Sequence, residues 1–508
     1  MKIITSFLLS LILFLTSCGS ALTPSALPST PQLAETTVPA NTLAATATNA
    51  PTPTAVTKGQ SGKKSGGKNQ PAPTSANPLF LAAPISGNPT DHSITLNFVP
   101  ANDAMLWYQV SSTDGLVAAQ TEPRQAQAGK PLETVINGLQ PNTRYGYTLM
   151  INDQASYSGS FTTQRAEGST FTFTLQGDSH PERVNNQFDP GLYTRTLQGA
   201  ASDTPDFHFT IGDDFSVDAL KSVTPETVRA LYLNQRQWLG LVSAPVFLVN
   251  GNHEQAAAAN LDGTANNVAV WAQTSRNSLF PQPAPDDFYT GDAVELENIG
   301  LLRDYYAFTW GDALFVVIDP YWHTPQAVDN VFGETDRSGG KGQRDLWNVT
   351  LGDEQYQWFK ETLEGSASKY KFVLTHHVLG TGRGGIELAG LYEWGGLNPN
   401  GSDGFAQHRP TWDKPIQQLM ADEDVTIFFQ GHDHIFVTQE LDGVIYQTLP
   451  EPANPNQTYE NTEAYKSGTK FPNSGRLRVT VAPTGVTVEY VYSFLNQPDQ
   501  IAASYTVK

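Results

Sequence analysis

The 508-residue chain carries 30 basic against 50 acidic side chains, a net charge of −20, and a single cysteine. One thiol excludes an internal disulfide framework. The acidic balance, with no basic patch interleaved with aromatics, excludes a surface that neutralises nucleic-acid phosphates.

Residues 1–17, MKIITSFLLSLILFLTS, hold one lysine, an apolar run too short for a comfortable membrane span, and small residues before Cys18. This pattern predicts a secretory signal rather than a transmembrane helix. Leu15-Thr16-Ser17-Cys18 resembles a bacterial lipobox, in which the signal is cut before a cysteine that then carries lipid. A sole thiol at that position predicts a lipid anchor, so the chain is expected to be exported and held at the cell surface or envelope membrane. An ordinary signal with an incidental cysteine is the other reading.

Residues 18–77 are Ala, Thr, Pro and Ser with almost no aromatics, a composition that cannot bury enough apolar surface to order itself. They predict a tether, semi-extended where proline-rich and loose where glycine-rich. The only charges before residue 78 are Lys2, Lys58, Lys63, Lys64, Lys68 and Glu35, which leaves 25 basic and 49 acidic side chains in the remainder.

Residues 78–165 alternate like half-buried strands: SITLNFV places Ile94, Leu96 and Phe98 on one face, and YGYTLMI places Tyr145, Tyr147, Leu149 and Ile151 together. Leu139-x-Pro141-x-Thr143-x-Tyr145 resembles the tyrosine corner of a fibronectin type III sandwich. The segment contains one histidine, His92, and no chemistry is assigned to it. Its expected task is to hold or space the next domain.

From residue 168 to 508 apolar runs alternate with helix-like segments such as DEQYQWFKETLE, the rhythm of an α/β domain. Chemistry-bearing residues collect where the runs end. FTFTLQ leads into Gly177-Asp178-Ser179-His180, and DFHFTI into Gly212-Asp213-Asp214. PVFLV leads into Asn250-Gly251-Asn252-His253-Glu254, KFVL into Thr375-His376-His377, and VTIFFQ into Gly431-His432-Asp433-His434. Ligands gather beyond the carboxyl ends of strands in such sheets. Imidazole, carboxylate and amide oxygen suit zinc, manganese or iron, and a carboxylate such as Asp213 can bridge two ions.

These blocks, in this order, resemble the calcineurin-like metallophosphoesterase family over roughly residues 168–495, and a fibronectin-like domain in front resembles the layout of purple acid phosphatases. The resemblance implies an α/β fold: a β-sandwich of two mixed sheets flanked by helices, preceded by the all-β sandwich. It implies two divalent metal ions, one held by Asp178, His180 and His434, the second by Asn252, His376 and His432, with Asp213 bridging. It makes His253 the catalytic residue at the leaving oxygen and gives Glu254 the task of orienting His253. The implied reaction is hydrolysis of a small phosphate ester by in-line attack of a metal-bridging hydroxide, with a phosphomonoesterase as the first reading. A phosphodiesterase acting on nucleotides or phospholipid headgroups is the second reading, and a non-catalytic surface-binding protein the third. The chain departs from the purple phosphatases where they place an iron-binding tyrosine, since it has Ser216 there, and in possessing His180.

Other residues carry open readings. His377 either approaches substrate or stands behind the ligands, and His208 is core or sheet surface. His323 lines the cleft or packs, while Arg183 and Arg383 grip phosphate or stay solvated. The insertions near 255–300 and 378–410 are expected to shape the mouth of the site.

Overall fold

The computed structural model describes residues 78–508 except 185, 326–327, 329–345 and 381. Cys18, the signal and the tether all lie outside the described residues.

The first sandwich pairs a three-stranded sheet, in the order Phe80–Gly87, Ile94–Pro100, Leu132–Ile136, with a sheet built on Ala104–Ser112, Arg144–Ile151 and Gln154–Thr162. Phe98, Leu106, Tyr108, Tyr147 and Phe161 interdigitate between them. The Tyr145 hydroxyl accepts a hydrogen bond from the Gln140 amide at 2.9 Å, closing the corner that the sequence suggested. One expectation changes. Strand Ile94–Pro100 is buried along both faces, not one. Its second face meets the α/β domain, where Ala82, Ile85 and Val99 join Phe215, Val217 and Val228 in a single cluster.

Polar groups fix that junction. Arg236, fully buried, donates to the Asn97 side-chain and backbone oxygens, both at 2.5 Å, to the Ala83 carbonyl at 3.0 Å, and to the Leu279 carbonyl. The Tyr289 hydroxyl donates to the Pro89 carbonyl at 2.6 Å, and Asn97 donates to the Ser278 carbonyl at 3.0 Å. The sandwich is therefore bolted to its neighbour rather than strung from it.

The α/β domain contains two mixed sheets. Six strands run in the order Val246–Leu248, His208–Thr210, Phe171–Gln176, Gly475–Ala482, Gly485–Tyr492, Gln500–Val507, the first three parallel. Eight strands form the other, whose centre is Ala313–Val317, Tyr370–Leu374, Ile427–Gln430 and Val444–Thr448, all parallel. The inner faces meet in an aromatic core: the Phe173 ring lies 5.1 Å from Phe315 and 5.6 Å from Phe372, centre to centre. Helices cover the outer faces. Gly352–Glu364 lays Tyr356, Phe359 and Leu363 on Val373 and Phe428, and Ile416–Asp422 adds Leu419 and Met420. Helix Pro225–Leu239 starts at a Thr224 capping box and packs Val228 and Tyr232 toward Leu248. Because the strands on both sheets that precede the sequence blocks run parallel, their carboxyl ends open on one rim.

Candidate metal centre

All seven residues expected to hold metal reach that rim, and all are buried. The loop after Phe171–Gln176 brings Asp178 and His180, that after His208–Thr210 brings Asp213, and that after Val246–Leu248 brings Asn252. The second sheet supplies His376 beyond Tyr370–Leu374, with His432 and His434 beyond Ile427–Gln430.

Ligand atoms of Asp178, Asp213, His376 and His432 converge within 4.8 Å of one another, as do those of Asp178, His180 and His434. Asp213 Oδ2 lies 3.1 Å from His376 Nε2 and 3.8 Å from His180 Nε2, which sets it between the two groups. His376 Nε2 and His432 Nδ1 approach to 3.1 Å, and His180 Nε2 and His434 Nε2 to 3.2 Å. Ring nitrogens gathered this closely around carboxylates suit a shared cation. Asn252 adds an independent sign: both polar atoms of its buried amide lack any partner, the condition expected of a side chain reserved for a ligand.

The glycines before these residues matter because neighbouring carboxylates stand where a side chain would be. A Cβ on Gly251 would fall 2.2 Å from Asp213 Oδ1, and one on Gly431 would fall 2.5 Å from Asp178 Oδ1.

The ligand rings are aimed from behind. His376 Nδ1 lies 2.6 Å from the Ile211 carbonyl, and His180 Nδ1 lies 2.9 Å from Glu182 Oε1. His434 Nδ1 sits 3.3 Å from Glu451 and 3.4 Å from Glu460. Each arrangement leaves Nε2 facing the cluster. Burial by itself would depress His376 and His434, but Asp213 and Asp178 outweigh it for the first, and Glu451 and Asp178 for the second. Both rise to about 10. Burial alone would raise Asp178 and Asp213, yet the facing imidazoles hold both well below the usual carboxylate range. The anionic carboxylates thus demand positive charge at the centre, which protons meet in the metal-free protein and a divalent cation can replace.

His253 keeps Nε2 3.8 Å from Asp213 Oδ2, while its Nδ1 lies 2.8 Å from Asp218. Burial would lower this imidazole, but Asp213 and Asp218 outweigh it and raise it to about 9. Here the expected role of Glu254 is corrected. Glu254 accepts from the amides of Asp214 at 2.9 Å, Phe215 at 3.1 Å and Gly251 at 2.8 Å, so it ties two ligand loops together. Asp218, five residues beyond Asp213 on a short 3₁₀ turn, is the group that holds His253.

Sequence reasoning also missed Glu182, Glu451 and Glu460. Only Glu182, two residues from His180, left a local signal. His377 is fully buried with Nε2 3.5 Å from Asp433, so it stands behind the ligands. His208 is core, beside Thr174 at 2.9 Å. Arg383 bonds Asp433 at 3.1 Å and the His432 carbonyl, and Arg183 bonds Gln187 at 2.6 Å, so both are held by protein groups at the edge of the site. Ser216 lies 3.4 Å from His180 Nδ1. The tyrosine beside His376, Tyr321, donates its hydroxyl to the Gly380 carbonyl at 2.7 Å.

No protein-family model and no curated protein sequence matches the chain. Solved structures do. The structure of PhoD superposes with a TM-score of 0.62 at 16% identity, over 86% of this chain and 92% of that one. Purple acid phosphatase PPD1 from seeds of yellow lupin (Lupinus luteus) superposes with a TM-score of 0.55 at 16% identity, over 84% of this chain and 74% of that one. At such identities the likeness is one of fold. The chain has the calcineurin-like metallophosphoesterase fold behind an N-terminal β-sandwich, and at the rim of that fold it carries a buried His/Asp cluster able to hold metal.

Proposed function

We propose that this protein is an exported, lipid-anchored phosphomonoesterase that uses two divalent cations. The observation that carries the reading is the convergence of Asp178, His180, His376 and His432 about Asp213, with His434 joined through Asp178 and an unpartnered Asn252 amide from the adjoining loop. Asp178, His180 and His434 would hold one cation, Asn252, His376 and His432 the other, with Asp213 shared. Bound there, zinc, manganese or iron would supply charge stabilisation at phosphorus and an acidified water. The protein's own contribution is placement. Asp218 fixes the His253 ring, and the two flanking carboxylates keep a proton on Nε2, where it can pass to a departing alkoxide. Glu254 holds the loops that carry Asp213 and Asn252 at a fixed separation.

A panel of phosphate mono- and diesters, assayed together with metal analysis, tests this. Monoesters should turn over fastest, and Asp213→Ala should lose bound metal and more than about 100-fold in turnover. Preference for nucleotide or headgroup diesters would select a phosphodiesterase instead. A fully metallated protein that hydrolyses neither would point to a surface-binding role. The anchor is tested separately: Cys18→Ala should move the protein from the membrane to the soluble fraction with turnover unchanged, because the tether expected over residues 18–77 would separate that residue from the folded domains.

A further inference from the structure

A second group of chemistry-bearing side chains lies outside the seven residues above. Asp292 follows strand Thr290–Gly291, Asp304 precedes strand Tyr306–Trp310, and His323 comes from the loop after Ala313–Val317. Gly291 pairs with Tyr306, and Tyr306 with Val317, so three segments leave the sheet side by side. Ligand atoms of Asp292, Asp304 and His323 lie within 4.8 Å of one another, with His323 Nε2 3.8 Å from Asp304 Oδ2.

The carboxylates are sealed from water, Asp292 at 1% and Asp304 at 0% exposure. Asp292 Oδ1 accepts from the Val294 amide at 2.7 Å, but Asp292 Oδ2, both oxygens of Asp304, and His323 Nε2 have no hydrogen-bonding partner. Nearby groups are already engaged. Asp319 is satisfied by Asn250 at 2.7 Å and by the Tyr321 amide at 2.6 Å. The Arg276 guanidinium donates through Nη1 and Nη2 to the Arg303 and Leu248 carbonyls, both at 2.9 Å; its Nε is unpartnered and bonds neither carboxylate, so it lends the pair only its charge. Two adjacent buried carboxylates with so few donors are unfavourable unless a cation joins them.

We propose that Asp292, Asp304 and His323 form a further divalent-cation site, separate from the main centre, that takes Zn²⁺ or Mn²⁺. Two carboxylate oxygens and one imidazole nitrogen fit those ions, and the His323 side chain, 25% exposed, gives a route of entry. The cation would staple the 292–304 segment to the loop that runs from Asp319 to His323. That loop touches Asn250, two residues ahead of Asn252.

The test compares metal content by mass spectrometry in the purified full-length protein, Asp304→Asn and His323→Ala, after equilibration with Zn²⁺ or Mn²⁺ and removal of free ion. Each variant should hold about one equivalent less than the parent. Equal content in all three overturns the site and leaves a protonated carboxyl or a trapped water to explain the cluster. Should Asp304→Asn fail to fold, His323→Ala decides alone, since its ring is partly exposed. Both variants spare the seven residues of the main centre, so the difference stands or falls independently of the function proposed for that centre.

Discussion

At the residue scale the proposed function turns on the pair His253 and Asp218. Their contact at 2.8 Å sets which ring nitrogen faces Asp213 and helps to keep the ring charged against burial. Asp218→Asn keeps the shape and removes the charge. It should reduce kcat by about 10- to 100-fold with metal content unchanged, measured by steady-state kinetics beside metal analysis. Because His253 would lose its proton more readily, the alkaline limb of the rate profile should move to lower pH. A variant that loses metal together with activity would make Asp218 a structural residue instead.

Elements bring these residues together, and strand His208–Thr210 shows what that requires. It lies between two parallel neighbours, and its first side chain is a fully buried imidazole. Burial, then the Arg476 charge, pushes His208 down to about 3. The folded chain therefore keeps His208 neutral, while the unfolded chain takes up a proton near pH 6.5. Between those values the unfolded state binds more protons, so stability is fully present above about pH 6.5 and falls as pH drops toward 3. His208→Gln removes the effect. From pH 7 to pH 5 the parent should lose about 2 kcal/mol more stability than the variant, measured by urea unfolding at both values. Parallel losses would show that the ring is accommodated when charged.

For the whole molecule, the junction between sandwich and α/β domain supports the loop that carries Asp213. Phe215 and Val217, just beyond that aspartate, pack in one cluster with Ala82, Ile85 and Val99 of the sandwich. Arg236 crosses the same junction. Burial lowers its guanidinium to about 9, and four acceptors hold it in place. Arg236→Leu would leave those acceptors buried without donors and should cost about 3 kcal/mol or more, seen as a lower unfolding midpoint. A midpoint equal to the parent's would mean that the apolar contacts alone secure the junction.

The strand-end blocks were legible in the sequence because parallel strands must place their carboxyl ends on one rim, and the family resemblance then singled out Asp178, His180, Asp213, Asn252, His376, His432 and His434 within them. Period-two alternation likewise exposed the inner face of the first sandwich at Ile94, Leu96 and Phe98. The outer face of that strand was decided by docking, since Thr95, Asn97 and Val99 carry no mark of what covers them. Asp218 and Glu254 show the same limit at the site, because both lie near His253 in sequence and spacing cannot tell which carboxylate meets the ring. The cluster of Asp292, Asp304 and His323 was beyond sequence reading altogether. Sequence order determines which side chains leave a strand end, whereas contacts between separate loops depend on how those loops turn and what packs behind them.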